Sequence, residues 1–352
     1  MKKHIKLNRT LAILSVSLVV IAILVVATPI LQPKYLSVST EGSLTAEYYP
    51  HVADTPHDVL FIGDCEVYES FVPALLYEEY GISAYVRGSA QQLIWQSYYL
   101  LEDALRYETP KVVVFNVLAM KYGTPQSEAY NRMTLDGMAW SQVKVDAINA
   151  SMTEEESFAS YVWTLLRFHD RWNQLTTEDF TYAFKEKPIV SDSGYLLQTA
   201  IRPMVGEAVA GSPLADYTLP QTSFDYLDKM RQLCEANGIQ LVLIKAPTNT
   251  FGYWWYDQWD EQIVDYAQKH HLEYLNMIPY AEEIGLDWQT DTYDAGIHLN
   301  VYGAEKLTLW FGRRLQESYD LPDHRGDATY DTPWLARIAT YQARKNQMKE
   351  GQ

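Results

Sequence analysis

Apolar residues in this chain fall into short continuous runs, each followed by a turn or by a longer stretch of helical spacing. Five runs stand out: 59–63 (VLFIG), 82–88 (ISAYVRG), 111–117 (KVVVFNV), 239–245 (IQLVLIK) and 272–277 (LEYLNM). Continuous rather than alternating hydrophobicity is the pattern of strands buried on both faces, as in a parallel sheet. Between them, residues 91–107 place Leu93, Trp95, Tyr98, Tyr99, Leu101 and Leu105 at mostly helical spacing. Residues 222–236 align Phe224, Leu227, Met230, Leu233 and Cys234 along one face. The second helix runs into Asn237-Gly238, a good C-terminal stop, and Cys234 reads as a small core residue. Residues 257–270 and 303–318 read as further helices. Strand–helix alternation of this kind predicts a three-layer, doubly wound α/β domain on a five-stranded parallel sheet, formed from residues 56–121 and 222–320.

Three segments depart from that alternation. Leu11 to Leu31 is an uncharged apolar run. As a helix it would reach roughly 30 Å, the thickness of a bilayer core. The pattern predicts a transmembrane anchor over 10–31 behind a basic tail, 1–9. Residues 32–55 are polar, with Pro, Gly and Ser, and read as a linker. Residues 122–221 interrupt the α/β pattern and read as a helical insertion that caps the site. Its most helix-like part is 153–173, where Thr153 and Glu156 form a capping-box pattern. Residues 321–352 are left as a C-terminal extension.

Charge sharpens this picture. The 352 residues carry a formal net charge of −17, yet residues 1–9 hold Lys2, Lys3, Lys6 and Arg9 and no acid. Removing those four cations leaves the remainder at −21. A basic head before an apolar run predicts a cytoplasmic N-terminus and an extracytoplasmic body. The other reading of the run is a cleaved signal peptide, but its length exceeds a usual signal core. The acidic body argues against nucleic-acid binding, which needs clustered Lys and Arg. Two cysteines, Cys65 and Cys234, exclude a disulfide scaffold and a Cys-rich metal site. His270-His271 lacks a third ligand at helical spacing, so no metal or other cofactor is expected.

In open α/β sheets, ligands bind beyond the carboxyl ends of the strands. Gly63-Asp64-Cys65-Glu66 follows the first run, and Gly88-Ser89-Ala90 the second. Asn116 ends the third run, and Asp291-Thr-Tyr-Asp294-Ala-Gly-Ile-His298-Leu-Asn300 lies beyond the last. Trp254, Trp255 and Trp259, after the fourth run, could stack on a glycan or bury a helix start. Asn300 is placed to cap the following helix.

Together these motifs resemble the SGNH/GDSL hydrolase superfamily over roughly residues 56–120 and 225–318. That family has a Gly-Asp-Ser turn after its first strand, a Gly after the second and an Asn after the third. It ends on an Asp-x-x-His motif, often followed by Asn and Gly-Ala. The matches here are Gly63-Asp64-Cys65, Gly88, Asn116, and His298-Leu299-Asn300 with Gly303-Ala304. The chain is most similar to membrane-anchored extracytoplasmic relatives, the teichoic-acid D-alanyl transfer and alginate O-acetylation proteins. The former carry a Gly-Ser-Ser-Glu turn, against which Gly63–Glu66 aligns. It departs in three places: Cys65 stands where the family has Ser, Asn116 lacks the family's Gly-x-Asn-Asp context, and Ala295 stands where the family has the motif Asp, leaving Asp294 or Asp291 for that role.

The resemblance implies an acyltransferase or esterase acting on a cell-envelope polysaccharide or teichoic-acid-like polymer, perched beside a membrane-bound O-acyltransferase. Cys65 would be the nucleophile, His298 the base and acid, and Asp294 its orienting carboxylate. Gly88 and Asn116, with the Cys65 backbone N–H, would form the oxyanion hole. Asp64, Glu66 and the tryptophans would contact substrate. The departures motivate an alternative: a catalytically inactive module of the same fold that binds glycan or docks the acyltransferase.

Overall fold

A computed structural model describes residues 2–32, 42–182, 189–203, 212–249 and 255–350. Five strands, β1 (Val59–Gly63), β2 (Ala84–Gly88), β3 (Val112–Asn116), β4 (Gln240–Lys245) and β5 (Glu273–Asn276), form one sheet in the order β2-β1-β3-β4-β5. All four pairings are parallel. The fold is therefore α/β with a five-stranded parallel sheet, as the apolar runs predict.

Side chains along each strand alternate between two cores because strand residues point to opposite faces. Val59, Phe61, Val86, Val114 and Ile244 face one layer, with Cys65 at its rim. Leu60, Ile62, Tyr85, Phe115 and Leu243 face the other. Eight helices matter below: α1 (Lys2–Leu31), α2 (Cys65–Tyr68), α3 (Pro73–Tyr80), α4 (Ile94–Ala104), α5 (Gln221–Ala236), α6 (Asp257–His270), α7 (Val301–Ser318) and α8 (Ala328–Glu350). Leu76 of α3 and Leu307 and Phe311 of α7 join the first core. Ile94 and Leu101 of α4, Leu227 and Met230 of α5 and Ile263 of α6 join the second. Cys234 belongs to that second core and is 1% exposed. Asn300 caps α7 as predicted, its side chain accepting from the N–H groups of Tyr302 and Gly303.

The chain forms two compact units, one of residues 38–153 and 189–352, which holds the sheet, and one of residues 1–37 and 154–188. In the second unit α1 contains the stretch Arg9–Leu31, the one described helix long and apolar enough to cross a membrane. Around it the residues expected to form one helix over 153–173 break into Phe158–Val162, Leu165–Phe168 and the 3₁₀ turn His169–Asn173. The capping-box pattern does not start a helix. Glu156 accepts a hydrogen bond from Tyr161 instead, and Ser157 precedes the first helical residue.

Two other expectations change. The polar stretch 32–55 is not linker throughout: Ser43–Ala46 and Tyr48–Asp54 are helical. Tyr48 holds the second of these in place. It is fully buried, donates to Glu108 at 2.8 Å and lies under the Arg87 guanidinium at 4.0 Å. Nor is 122–221 a single insertion. Its residues 122–153 and 189–221 belong to the sheet unit, where Ile148 packs in fully buried and Asn131 accepts from Gln96 of α4 at 2.8 Å. Residues 189–200 run beside β2, where Val86 N–H donates to Ser193 at 3.1 Å. The C-terminal extension contributes α8, whose Trp334 is fully buried and stacks on Tyr77 with ring centroids 5.1 Å apart.

Candidate active site

The strand order reverses beside β1, with β2 on one side and β3 on the other. That reversal opens a crevice at the carboxyl ends of β1 and β3, where open α/β sheets bind ligands. Gly63 ends β1 there. A Cβ on Gly63 would lie 2.6 Å from Val67 Cγ2 and 3.1 Å from Asn116 Cβ, so the turn into α2 and the end of β3 can close only around glycine. Gly88 lies opposite Gly63 in the register. It is similarly confined: a Cβ would meet the Gly63 carbonyl and the Tyr68 Cβ at 3.1 Å each.

Cys65 is the first residue of α2 and is 5% exposed. α2 is a single turn capped by Asp64, whose carboxylate accepts from Glu66 N–H at 3.1 Å. So short a helix offers Cys65 little dipole, and the cap places a carboxyl group beside the thiol. Burial raises the Cys65 thiol pKa, Asp64 raises it further, and the hydrogen bond with His298 works in the other direction.

The loop between β5 and α7 delivers His298 and Asp294. His298 Nδ1 lies 2.5 Å from Asp294 Oδ2, and His298 N–H donates to Asp294 Oδ1 at 2.8 Å. The pair is therefore four residues apart. Ala295 and Gly296 absorb the extra residue in left-handed backbone, at φ +65° and +87°. Gly296 N–H donates to Thr292 Oγ1 at 2.8 Å, and Asn249 N–H to the Gly296 carbonyl at 2.8 Å. Asp291, the other candidate, is 1% exposed and pairs with Lys306 at 2.6 Å instead.

A second carboxylate that sequence reasoning missed closes the group. Glu69, one helical turn beyond Cys65, has Oε2 3.6 Å from His298 Nδ1 and accepts from Tyr293 at 2.7 Å. The Tyr293 ring stacks on the imidazole, with centroids 5.8 Å apart. Burial alone would lower the His298 pKa. The Asp294 hydrogen bond, then Cys65 and Glu69, outweigh it and hold the imidazole well above its usual range. Burial pushes Glu69 up to about 7 against the opposing pull of His298.

The remaining predicted residues form a buried network under the thiol. Asn116 donates one amide hydrogen toward Asp64 at 3.1 Å and one toward Glu66 at 3.0 Å. Its carbonyl accepts from Ala246 N–H at 3.0 Å. Both amide hydrogens are thus engaged by carboxyl groups, which leaves no side-chain donor for an oxyanion. Glu66 also pairs with Lys245 at 2.8 Å, both side chains being almost fully buried. Asp64 and Glu66 are 3% and 2% exposed, so they face this network rather than open solvent. Burial, then the neighbouring Glu66, pushes Asp64 up to about 7. Burial lowers the Lys121 ammonium, which Glu66 and Asp64 counteract. Trp255 and Trp259 pack half-buried against the second core, on the sheet face away from Cys65, and Trp255 donates to Asp260 at 2.9 Å. Trp254 lies outside the described residues.

Of the residues missed, Lys245 carried a legible signal, a charge ending an otherwise apolar strand. Glu69 carried a weaker one, its i+4 spacing from Cys65.

No protein-family model matches the chain, and no curated protein matches it. Among solved structures, 82% of the chain aligns with 99% of a protein assigned as an acylhydrolase from Bacteroides fragilis, at 12% identity and a TM-score of 0.36. A GDSL-like lipase from Bacteroides thetaiotaomicron aligns over 79% of this chain and 100% of its own, at 11% identity and a TM-score of 0.37.

Proposed function

We propose that the protein is a membrane-anchored acyl-transfer enzyme of SGNH type, carrying a Cys-His-Asp site and acting on an ester of a cell-envelope polymer. The observation that carries this reading is the gathering of Cys65, His298 and Asp294 at the β1/β3 crevice, with the thiol electrostatically coupled to an imidazole that a carboxylate backs at 2.5 Å. An inactive docking module would not need a carboxylate behind the ring.

The chemistry follows from the proton inventory. Burial holds the thiol above its usual pKa, and the Asp294 hydrogen bond favours the protonated imidazole. Loss of one proton gives thiolate and imidazolium, the nucleophilic pair. Cys65 Sγ attacks the acyl carbonyl, and backbone N–H groups at Cys65 and Gly88 hold the oxyanion. His298 protonates the departing oxygen, Asp294 keeps the ring oriented, and a hydroxyl or water releases the acyl group. The membrane-length α1 would tether the protein to the membrane, where a membrane-bound O-acyltransferase would serve as acyl donor.

The test is acyl transfer and ester cleavage by full-length protein in detergent. Cys65→Ala and His298→Ala should each lower turnover by about 10²-fold or more, and the rate should rise with pH above neutrality. Turnover unaffected by Cys65→Ala would remove the nucleophile from the reading.

A further inference from the structure

Outside the crevice, the sheet unit holds a second ordered line of proton-bearing groups. Ser193 Oγ lies 2.7 Å from His51 Nε2. His51 Nδ1 lies 2.9 Å from His57 Nε2. His57 Nδ1 lies 2.9 Å from Glu108 Oε2, and Glu108 also accepts from the His57 backbone N–H at 2.6 Å and from Tyr48 at 2.8 Å. The Glu108 carboxylate can only accept, and with His57 neutral this sets the tautomers along the line. His57 places its proton on Nδ1, toward Glu108. Its Nε2 then accepts from His51 Nδ1–H. The lone pair of His51 Nε2 is left facing the Ser193 hydroxyl, the orientation a general base requires.

The serine itself sits in unusual backbone. Asp192 and Tyr195 are bridged antiparallel, and the two residues between them, Ser193 and Gly194, have φ +57° and +86°. Two positive φ values define a type I′ turn. Serine is not among the residues that favour left-handed backbone, and such outliers cluster at functional positions. The turn presents Ser193 to a cavity of about 350 Å³, also lined by His51 and by Pro50, Ala74, Ile189, Pro333 and Ala336. Arg337 is the cation of that lining. Burial keeps His51 below its usual pKa and so neutral.

We infer that Ser193 is a second nucleophile, activated through His51, His57 and Glu108, and that the adjoining cavity takes a small carboxylic ester with an apolar acyl group. Ser193 Oγ bonds to the ester carbonyl carbon as its proton passes to His51 Nε2. The tetrahedral adduct collapses, breaks the carbon–alkoxy bond and releases the alcohol, which takes that proton. Water then cleaves the acyl-Ser193 ester, losing a proton to His51 that returns to Ser193, so ester and water give acid and alcohol. His57 and Glu108 are positioning residues here, because they reach the serine only through His51.

The experiment uses full-length Cys65→Ala protein, so that the crevice thiol contributes nothing and the outcome is independent of the function proposed above. A fluorophosphonate probe is added, and the adduct is mapped by peptide mass spectrometry. The expected result is one fluorophosphonyl group on Ser193, absent in Ser193→Gly, a change that suits the left-handed backbone. Labelling should slow at least tenfold in His51→Gln with near-ultraviolet circular dichroism unchanged. Butyrate-ester turnover in the same background should fall with it. Folded Cys65→Ala protein that leaves Ser193 unlabelled overturns the inference, whatever the fold of the second variant. So does labelling that folded His51→Gln protein leaves undiminished.

Discussion

At the residue scale, the crevice is defined by charges that have been taken out of water in company. Lys245 and Glu66 are paired at 2.8 Å with almost no exposure. Removing one partner of such a pair strands the other. Lys245→Met should therefore cost about 3–5 kcal/mol of stability, read from the shift of the urea midpoint. Lys245→Met with Glu66→Leu should recover a large part of it. Glu69 behaves differently, since burial raises its carboxyl to about 7 from an ordinary value of 4.5. Its folded form binds a proton more tightly than its unfolded form. Its contribution to stability is complete below about pH 4.5 and is lost as pH rises through about 7. Glu69→Gln removes that dependence. The stability difference, Glu69→Gln minus wild type, should grow in favour of the variant by on the order of 3 kcal/mol between pH 4 and 8. A flat difference across that range would mean that Glu69 ionises as freely in the folded chain as in the unfolded one.

At the element scale, some features were legible because their cause is local. The strands follow from unbroken β-branched and aliphatic runs, and the α7 cap from an Asn that can accept two N–H groups. The helices at 43–54 were not legible. What orders them is Tyr48, whose partners Tyr85, Arg87 and Glu108 lie far along the chain. The break in 153–173 was equally hidden, since helical spacing there is good and the capping residues find other partners. α8 is a further case. Its outer face is polar, and its weight rests on Trp334 against Tyr77 and on Tyr341, which donates to Glu305 at 2.6 Å. Trp334→Ala should lower stability by about 3–5 kcal/mol, seen as a lower denaturant midpoint with the slope unchanged. If α8 only decorated the surface, the midpoint would hardly move.

At the scale of the whole molecule, an apolar helix of membrane length belongs to one unit and the crevice to the other. The proposed anchored enzyme would need both. The sequence placed Cys65 at the end of the first run and His298 and Asp294 beyond the last, and the fold brings all three to one crevice. It could not show how they are surrounded. Glu69, Tyr293 and Lys245 come from three different elements, and the Ser193 line joins residues more than 130 positions apart. Such groupings arise from packing, which leaves no periodic trace along the chain.

The most direct measurement of the central claim is peptide mass spectrometry on the full-length chain, quenched in acid during turnover in native membranes. The expected result is an acyl group on Cys65 that hydroxylamine removes and that does not form in His298→Ala. An unmodified Cys65 during turnover, with Cys65→Ala protein transferring acyl groups as fast as wild type, would contradict it.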